Sequence, residues 1–497
     1  MGNHVSLITA IEQRPGAAFG WFLAVHAALW IVLPVLLYPN LPLDLIEALT
    51  YGREWQLGYD KLPPLPWWLV EIAYRAIGHD VGYYLLAQLA VVTAFIAIYR
   101  LARPLVGELR ALLAVVIIDG LHYFNFTAAK FNHNVIELPF WALAALAFHR
   151  ALRGGGLRYW ALLGLSIGIS LWAKYFFVVL ALPLALFLLL DREARGHLRT
   201  PGPYLAAAVT LIVAAPHLVW LVANDFLPFA YAEHRAAASR GAIDHIARPL
   251  AFAGGQLFFL LPALALAAPL LRRDRAPVAA AADAFDRRIV TLLAFGPTAT
   301  LLAMSAVTGR GLITMWGYPL WLFLGLWIML TLEPALERIV LARIAAIWAF
   351  VTVAFVAAFV ANYLILPAID GRNRAAHFPG QALGSEIAQR FRATTGQPLR
   401  YVIGSMWDGG NVAHYASERP QVLIDGDLTR APWIDLTDLR RRGAVVLWTS
   451  TDPHPPDMPA ALRAVAPGAV AQPPFVLPFY RGSHRLYVNW AILLPAT

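Results

Sequence analysis

The sequence predicts an all-α polytopic membrane domain followed by a small α/β domain at the carboxyl-terminal end. Hydrophobic residues make up 59% of the 497 residues and charged residues 14%, whereas a globular protein has roughly 25% charged residues. The mean hydropathy is +0.60, and the composition changes after Pro367. Because so few polar residues cannot cover a soluble core of this size, we place residues 1–367 in a transmembrane domain and residues 368–497 in an extracytoplasmic domain.

The apolar segments predict about eleven transmembrane helices, since a span needs roughly 20 apolar residues. They cover residues 17–38, 83–102, 110–126, 134–151, 159–173, 175–190, 204–222, 251–271, 289–308, 313–331 and 344–366. Lys174 interrupts the region 159–190, which is too long for one modestly tilted span. We interpret this region as two spans joined by a tight turn, with one long broken helix as the alternative.

Basic residues in the loops predict the orientation of the chain. Arginine-rich loops alternate with loops poorer in Lys and Arg, as the positive-inside rule predicts for cytoplasmic and outer faces. With eleven spans the amino terminus is cytoplasmic. The outer face then carries residues 39–82, 127–133, 223–250, 309–312 and everything after 367. The first apolar segment is interpreted as a retained anchor, because no small-residue cleavage site follows it.

The overall charge and the cysteine count exclude several function classes. The net charge of +9 is explained by cytoplasmic loops that fix the orientation, so we expect no nucleic-acid partner. The absence of cysteine excludes disulfides, thiolate metal sites and cysteine nucleophiles.

The segment after Pro367 contains strand and helix patterns typical of an α/β domain. "RYVIGSMWDGGNVAHYASERPQVLIDGD" and "GAVVLWTS" contain short β-branched and aromatic runs bounded by Gly, Pro and Asp, which predict strands. "FPGQALGSEIAQRFRATTG" predicts a helix, and "YRGSHRLYVNWAILLP" supplies closing strands. Alternating strands and helices of this kind indicate a small α/β domain.

The long first outer loop begins with an acidic helical pattern. Asp44, Glu47 and Tyr51 recur at the spacing of one helix face, with apolar residues on the other side. This pattern predicts an amphipathic helix at the membrane interface whose polar face lines a cavity. A second helix follows the prolines, and its Trp67 and Trp68 suit the headgroup zone.

Two residues of this loop are the main candidates for chemistry. Asp44 could act as a general base or hold an acceptor hydroxyl, and Lys61 could bind a phosphate. The alternative is structural: Asp44 caps the short helix, and Lys61 extends to anionic headgroups. The cost of burying a carboxylate near a bilayer favours the functional interpretation of Asp44.

Further polar residues lie near the outer ends of the spans. We predict that several cations converge on one phosphate or pyrophosphate at the bilayer boundary, each close to an aromatic residue. The candidate cations are Lys61, Lys130, Lys174, Arg235 and Arg310. The expected cavity residues are Tyr59, His133, Tyr175, Asp225 and His234. Topology anchors are the alternative, but anchors prefer the cytoplasmic side.

A divalent metal is an open alternative. Asp44, Glu47 and Asp60 offer oxygen ligands, and three outer-face histidines offer nitrogen ligands. No compact spacing such as HExxH is present, and lone histidines are more often hydrogen-bonded structural residues. We therefore assign no metal, and we hold Glu47 and Asp60 as reserve positions for a base or a metal.

Residues 17–366 resemble the GT-C glycosyltransferases. Within them the chain is most similar to the protein mannosyltransferase-like group that includes bacterial aminoarabinose and galacturonic acid transferases. The resemblance is carried by the acidic start of the first outer loop, by "YDKLPPLPWWL", by "AAKFNHNVIELPFWALA" and by "LWAKYFFVVL". The most specific element is Lys-Leu-Pro-Pro-Leu at Lys61 to Leu65.

The resemblance implies a membrane glycosyltransferase. Such enzymes take a sugar from a polyprenyl-phosphate carrier at the outer face of the bacterial inner membrane and pass it to a lipid, glycan or protein, usually with inversion. The family's first-loop aspartate corresponds to Asp44, and Lys61 is implied to contact the carrier phosphate. The chain departs from the family's Asp-Glu pair, because Asp44 and Glu47 lie three residues apart. The carboxyl-terminal domain is implied to be periplasmic.

The chemistry of such a transfer agrees with these residue types. The reaction breaks a C1–O bond through an oxocarbenium-like state, a carboxylate orients or deprotonates the acceptor, and cations stabilise the leaving phosphate. A lipid or polysaccharide transporter is the alternative function. It would show paired halves and polar residues at mid-membrane, whereas here the polar residues cluster at the outer ends of the spans. A non-catalytic scaffold with an outer sensor domain is a third interpretation.

Overall fold

The computed structural model describes residues 7–271, 282–371, 373–454 and 457–496, apart from the side chains of Ala232 and His234. The chain forms two compact units. The first, called the helical unit, contains the residues up to Val32, the short segment Lys61–Pro63, and Tyr84–Ala357. The second, called the α/β unit, contains Leu33–Asp60, Pro64–Tyr83 and the residues from Ala358 onward.

Sixteen helices occupy the described chain up to Asp370. They are α1 (Leu7–Gln13), α2 (Pro15–Leu37), α3 (Leu43–Gly52), α4 (Leu65–Ile77), α5 (Val81–Val106), α6 (Glu108–Asp119), α7 (His133–Leu152), α8 (Leu157–Ala173), α9 (Val178–Leu190), α10 (Gly202–Ala223), α11 (Leu227–Arg235), α12 (Asp244–Ala267), α13 (Ala284–Thr308), α14 (Leu324–Leu332), α15 (Arg338–Val360) and α16 (Leu366–Asp370). Within the described residues, seven helical segments are long and apolar enough to cross a membrane. They contain α2, α5, α7, α10, α12, α13 and α15, so the chain is a multi-pass membrane protein.

The predicted count of about eleven spans is not confirmed by helix length. The predicted spans 110–126 and 313–331 form only the short helices α6 and α14, most of whose residues are buried. The Cβ that an alanine would place at Gly325 of α14 would lie 2.0 Å from the carbonyl oxygen of Ala114 in α6. These two helices are therefore packed inside the helical unit, where their backbones approach closely.

The region 159–190 contains two helices, α8 and α9, separated by a 3₁₀ turn at Tyr175–Phe177. Lys174 ends α8 with extended backbone. The helix α8 packs against α7 and α10, whereas α9 packs against α13. The region therefore contains two separate helices, and both are shorter than a typical span.

The α/β unit contains a mixed sheet with the strand order β2-β1-β3-β6-β4, and β5 pairs with β6. The strands are β1 (Tyr401–Gly404), β2 (Gln421–Ile424), β3 (Ala444–Ser450), β4 (Val470–Ala471), β5 (Phe475–Pro478) and β6 (Arg485–Leu493). The strands β1, β2 and β3 are parallel, and β6 is antiparallel to β3. The helices of this region are α17 (Gly380–Thr395), α18 (Met406–Tyr415), α19 (Leu436–Arg442) and α20 (Ala460–Val465). The predicted small α/β domain is confirmed.

Alternating side chains of the sheet fill two cores, because successive strand residues point to opposite faces. Val402 and Val445 pack in one core with Phe391 of α17. Ile403 and Val446 pack in the other core. The helices α3 and α4 also belong to this unit, and α3 packs against both α4 and α18. The sheet thus gives these first-loop helices a fixed support.

Candidate functional site

The helix α3 holds the two acidic candidates of the first loop. Asp44 lies in its first turn, and both Asp44 and Glu47 are half-buried. Pro42 occupies the N-cap position and no side chain caps the helix, so the alternative role of Asp44 as the N-cap is wrong. A carboxylate in the first turn is still stabilised by the helix dipole. Asp44 and Glu47 both interact with other groups in the structure.

The apolar face of α3 is covered by protein. Leu45 and Ile46 are fully buried, and an alanine Cβ at Gly410 of α18 would lie 2.8 Å from the Ile46 side chain. The predicted helix is therefore confirmed, but its apolar face packs within the α/β unit instead of in lipid. The reason is that the carboxyl-terminal domain supplies α18, a partner that lies far away in sequence.

An aromatic cluster fixes the start of α4 against α3. The ring of Trp67 stacks on Tyr51 at 4.4 Å between centroids and meets Tyr59 edge-on at 4.9 Å. Trp433 closes the cluster from the carboxyl-terminal domain. Trp67 is 1% exposed, so its predicted position among lipid headgroups is wrong. The Tyr59 hydroxyl donates to the carbonyl of Tyr51 at 2.7 Å.

Asp60 forms an ion pair with a distant arginine. The Arg430 Nε lies 3.0 Å from the Asp60 carboxylate, and the same guanidinium binds Asp425. Burial, with the nearby negative charge of Asp60, raises the pKa of the Tyr51 hydroxyl well above its usual range, and this hydroxyl also interacts with Arg430. Arg430 was not a sequence candidate, because nothing local indicates a pairing across so much of the chain.

In the helical unit, the segment Lys61–Pro63 lies against the start of α7. The Nε2 of His133, the first residue of α7, is 3.1 Å from the carbonyl oxygen of Pro63. The Lys61 ammonium lies 5.8 Å from the centroid of the Tyr231 ring. Lys61 is half-buried and has further interactions in the structure. The structure thus brings the Pro63 carbonyl to the amino-terminal end of α7, while the Lys61 ammonium lies beside Tyr231 of α11.

The Lys174 cation lies at the same end of α7. The Lys174 ammonium donates to the side-chain oxygen of Asn134 at 2.7 Å and to the Glu137 carboxylate at 3.1 Å. Glu137 is fully buried, and Lys174 is 11% exposed. Sequence reasoning missed Glu137, although a carboxylate inside an apolar span is itself a signal of function.

The backbone at this end of α7 is ordered by a capping residue. Asn132 occupies the N-cap, and its side chain accepts from the amides of Asn134 and Val135 at 2.9 and 3.1 Å. The amino-terminal end of a helix carries partial positive charge. The predicted cation Lys130 lies two residues before the cap, half-buried and with partners of its own.

Tyr175, a predicted cavity residue, and Arg310, a predicted cation, both form pairs within the helical unit. The Tyr175 hydroxyl is 2.9 Å from the Nε2 of the buried His217, and the Tyr175 ring stacks on Phe229 at 5.0 Å. Arg310 forms an ion pair with Glu233 of α11 at 2.5 Å. Arg310 is therefore neutralised by an acidic partner that sequence reasoning did not consider.

The remaining candidates are exposed or outside the described set. Asp225 is exposed and adopts a positive φ of 49° in the turn before α11. Arg235 is exposed at the end of α11. The side chain of His234 lies outside the described residues. Among the side chains that the structure describes, no group of three or more His, Asp or Glu residues forms a metal site.

A salt-bridge network ties α4 to the carboxyl-terminal domain. The carboxylate of Glu71 is fully buried and forms ion pairs with Arg419 at 2.9 Å and with Arg75 at 2.8 Å. The Arg419 guanidinium also lies 4.0 Å from the centroid of the Tyr74 ring. These residues position the first loop, and none was predicted from the sequence.

Sequence comparisons place the chain near known transferases. Residues 61–220, about a third of the chain, match the family described as dolichyl-phosphate-mannose-protein mannosyltransferase. Lipopolysaccharide core galacturonosyltransferase RgtA of Rhizobium johnstonii is 27% identical over 280 residues, which cover 56% of this chain and 54% of that protein. RgtB of the same organism, with the same description, is 28% identical over 218 residues, covering 43% of this chain and 44% of RgtB. The chain therefore spans about half the length of the curated relatives it matches.

A structural comparison covers almost the whole chain. The crystal structure of ArnT from Cupriavidus metallidurans bound to undecaprenyl phosphate superposes with a TM-score of 0.63 at 14% identity. The match covers 97% of this chain and 100% of ArnT. The protein has the GT-C fold. The GT-C resemblance and the fold class predicted from the sequence are confirmed, and none of these comparisons supports the transporter alternative.

Proposed function

We propose that this GT-C protein is a membrane glycosyltransferase that moves a sugar from a polyprenyl-phosphate carrier to a lipid, glycan or protein acceptor, with a lipopolysaccharide-type lipid favoured. The observation that carries the proposal is the polar cluster at the start of α7. There Lys61–Pro63 meets His133, and Lys174 binds Asn134. The residues of this cluster fall inside the segment that matches the mannosyltransferase family. The names of the relatives and the lipid phosphate bound to ArnT support the donor and acceptor classes.

The α7 cluster suits a lipid phosphate. A helix amino terminus and nearby cations favour an anion, and negative charge builds on the phosphate as the sugar leaves it. Lys61 is the proposed donor-phosphate contact, with Lys130 and Lys174 in supporting positions. Lys174 also pairs with Glu137, so only part of its charge is available to a phosphate.

Asp44 is proposed to orient or deprotonate the acceptor. Its side chain is half-buried in the first turn of α3 and caps no helix end. The fully buried Leu45 and Tyr51 hold this helix in place. A single displacement assisted by one carboxylate would invert the sugar's configuration. Glu47 and Asp60 remain alternative positions for the catalytic base or a metal ligand, and Asp60 already forms an ion pair with Arg430.

The proposed cellular arrangement follows from the same function. Polyprenyl-phosphate sugars used outside the cytoplasm require an active site on the outer face of the bacterial inner membrane. We therefore assign a cytoplasmic amino terminus, a catalytic transmembrane domain at residues 1–367 and a periplasmic domain at residues 368–497. A divalent metal is retained only as an alternative way to hold the phosphate.

The proposal is tested by kinetics of the full chain in detergent with a radiolabelled polyprenyl-phosphate sugar. Lys61→Gln is expected to raise the donor KM roughly tenfold or more, because a charge-assisted contact is lost. Asp44→Asn is expected to lower kcat by about 10²-fold or more. Asp457→Asn, an exposed aspartate outside these clusters, is the matched control. Normal turnover by a folded Asp44→Asn protein would contradict the role of Asp44.

A further inference from the structure

The α/β unit contains an open groove that the proposed chemistry does not use. Its volume is about 860 Å³, within the usual range of ligand sites of about 300–1,000 Å³. It lies at the carboxyl end of β3, where Thr449, Ser450 and Thr451 line it. In α/β sheets, ligands bind outside the carboxyl ends of the parallel strands. The position of the groove is therefore typical of a binding site.

Aromatic side chains form one wall of the groove. Trp407 of α18 and Phe479, which follows β5, both line it and are half-buried. The buried Phe378 meets Trp407 edge-on at 5.0 Å and Phe479 edge-on at 5.8 Å. The two outer rings are thus held in fixed positions. Rigid aromatic surfaces of this kind contact the apolar faces of sugar rings at a low cost in conformational entropy.

Hydroxyl groups form the second wall, and a buried carboxylate fixes one of them. Thr449 donates to one Asp408 carboxylate oxygen at 2.9 Å, and Ser405 donates to the other oxygen at 2.9 Å. Asp408 is 8% exposed, so this network is held inside the domain. Ser450 and Thr451 add hydroxyls that can donate and accept hydrogen bonds.

Basic segments border the groove. The segments 373–375 and 480–485 both supply residues that line it, and "YRGSHR" at 480–485 contains two arginines, one histidine and no acidic residue. The two segments meet at Gly482, where the φ of 79° favours glycine and an added Cβ would lie 2.7 Å from the Asn373 side chain. Arg374 and His484 line the groove itself. Arg374 donates to the Asn362 side chain at 3.1 Å and forms an ion pair with Asp370 at 3.7 Å.

The groove extends to the acidic helix of the first loop. Leu43, the first residue of α3, lines it and is 44% exposed. Asp44 follows directly in the sequence. A ligand held by the aromatic and basic walls would therefore lie beside α3, the helix that carries Asp44, the carboxylate proposed to orient the acceptor.

We infer that this groove binds an anionic glycan, a sugar chain bearing phosphate groups. The aromatic wall would contact the sugar rings, the strand-end hydroxyls would bind sugar hydroxyls, and the basic border would bind the anionic groups. Identification of this glycan as the acceptor's sugar portion rests on the proposed function, whereas binding itself does not. The groove gives the carboxyl-terminal domain a role in selecting the acceptor.

The test measures binding to the full chain in detergent by equilibrium dialysis. The probe is a phosphorylated oligosaccharide released from lipopolysaccharide and freed of lipid, and the matched probe is the same oligosaccharide after phosphatase treatment. We expect the phosphorylated form to bind at least tenfold more tightly than the treated form. Trp407→Leu and Arg374→Ala should each raise the Kd roughly tenfold. Arg463→Ala, an exposed arginine of α20, should leave the Kd unchanged.

Several results would overturn the inference. Equal binding of the two probes would exclude the anionic specificity, and unchanged Kd values in both groove variants would exclude the groove. Trp407→Tyr should recover most of the affinity, which separates a lost ring surface from a misfolded domain. Specific binding without any sugar transfer would support the groove and contradict the glycosyltransferase. Transfer with no binding in the groove would contradict the inference alone.

Discussion

Removal of Lys174 is expected to leave a buried carboxylate without its cation. Glu137 is fully buried, Lys174 is 11% exposed, and their charged groups are 3.1 Å apart. Breaking a buried ion pair by removing one partner costs about 3–5 kcal/mol. The small exposure of Lys174 leaves little solvent screening to reduce that value. Lys174→Met should therefore lower the midpoint of thermal unfolding by roughly 5–10 °C for a unit of this size.

A double substitution separates charge from packing. In the double variant Lys174→Met with Glu137→Leu, no uncompensated charge remains, and stability should return to within about 2 kcal/mol of the wild type. The assay is thermal unfolding of each variant in one detergent, followed by intrinsic fluorescence. The control is Arg463→Ala, which removes an exposed arginine and should change the midpoint by no more than about 1 °C.

The same variants also decide whether Lys174 has a functional role. If the double variant regains stability but not sugar transfer, at least one of Lys174 and Glu137 has a functional role beyond the buried ion pair. If it regains both, Lys174 serves only to neutralise Glu137. A wild-type midpoint for Lys174→Met, or a double variant as unstable as the single one, would refute the reasoning about the buried pair.

Three further predictions concern the α/β unit. Arg419→Ala should lower the free energy of unfolding by about 3 kcal/mol, because Glu71 is fully buried. Arg75→Ala should lower it by less than about 1 kcal/mol, because Arg75 is 58% exposed. Equal midpoints of thermal unfolding for the two variants would contradict this difference. Burial, with the nearby charge of Arg419, lowers the pKa of His414 to about 4. The unfolded chain therefore binds a proton at this histidine before the folded protein does, and the free energy of unfolding should fall by about 3 kcal/mol as pH falls from about 6.5 to 4. His414→Phe should remove that part of the pH dependence. If the free energy of unfolding of this variant falls with pH as steeply as that of the wild type, His414 is not the group responsible. Trp67→Ala should cost about 3–5 kcal/mol by opening a cavity in the buried cluster, and a loss below about 1 kcal/mol would show that the cluster is not tightly packed.

Local patterns in the sequence were sufficient for the fold class. The apolar segments predict the membrane helices, and the alternation of Val402 and Ile403 between two cores illustrates why the strands were recognisable. Span length was less predictable, because α6 and α14 are short helices packed inside the protein instead of spans facing lipid. A helix buried inside the protein and a helix facing lipid are both apolar, so composition does not distinguish them.

The partners of the candidate residues could not be predicted from local patterns. Asp60 pairs with Arg430, 370 residues away, and Trp67 is buried against Trp433. Only the tertiary fold brings such residues together, so the sequence showed Trp67 as a typical headgroup residue. The pairing of Lys174 with Glu137 was not predicted, although a carboxylate in an apolar span requires a partner and was a signal to search for one.

The central claim is that this protein transfers a sugar from a lipid phosphate, and one measurement tests it most directly. The full chain is reconstituted in liposomes with a polyprenyl-phosphate sugar labelled in the sugar, together with a lipopolysaccharide acceptor. We predict that labelled acceptor and free polyprenyl phosphate appear in equal amounts, and that Asp44→Asn lowers the rate of formation of both by about 10²-fold or more. Movement of the intact labelled lipid across the membrane, with no labelled acceptor formed, would contradict the claim and favour a transporter.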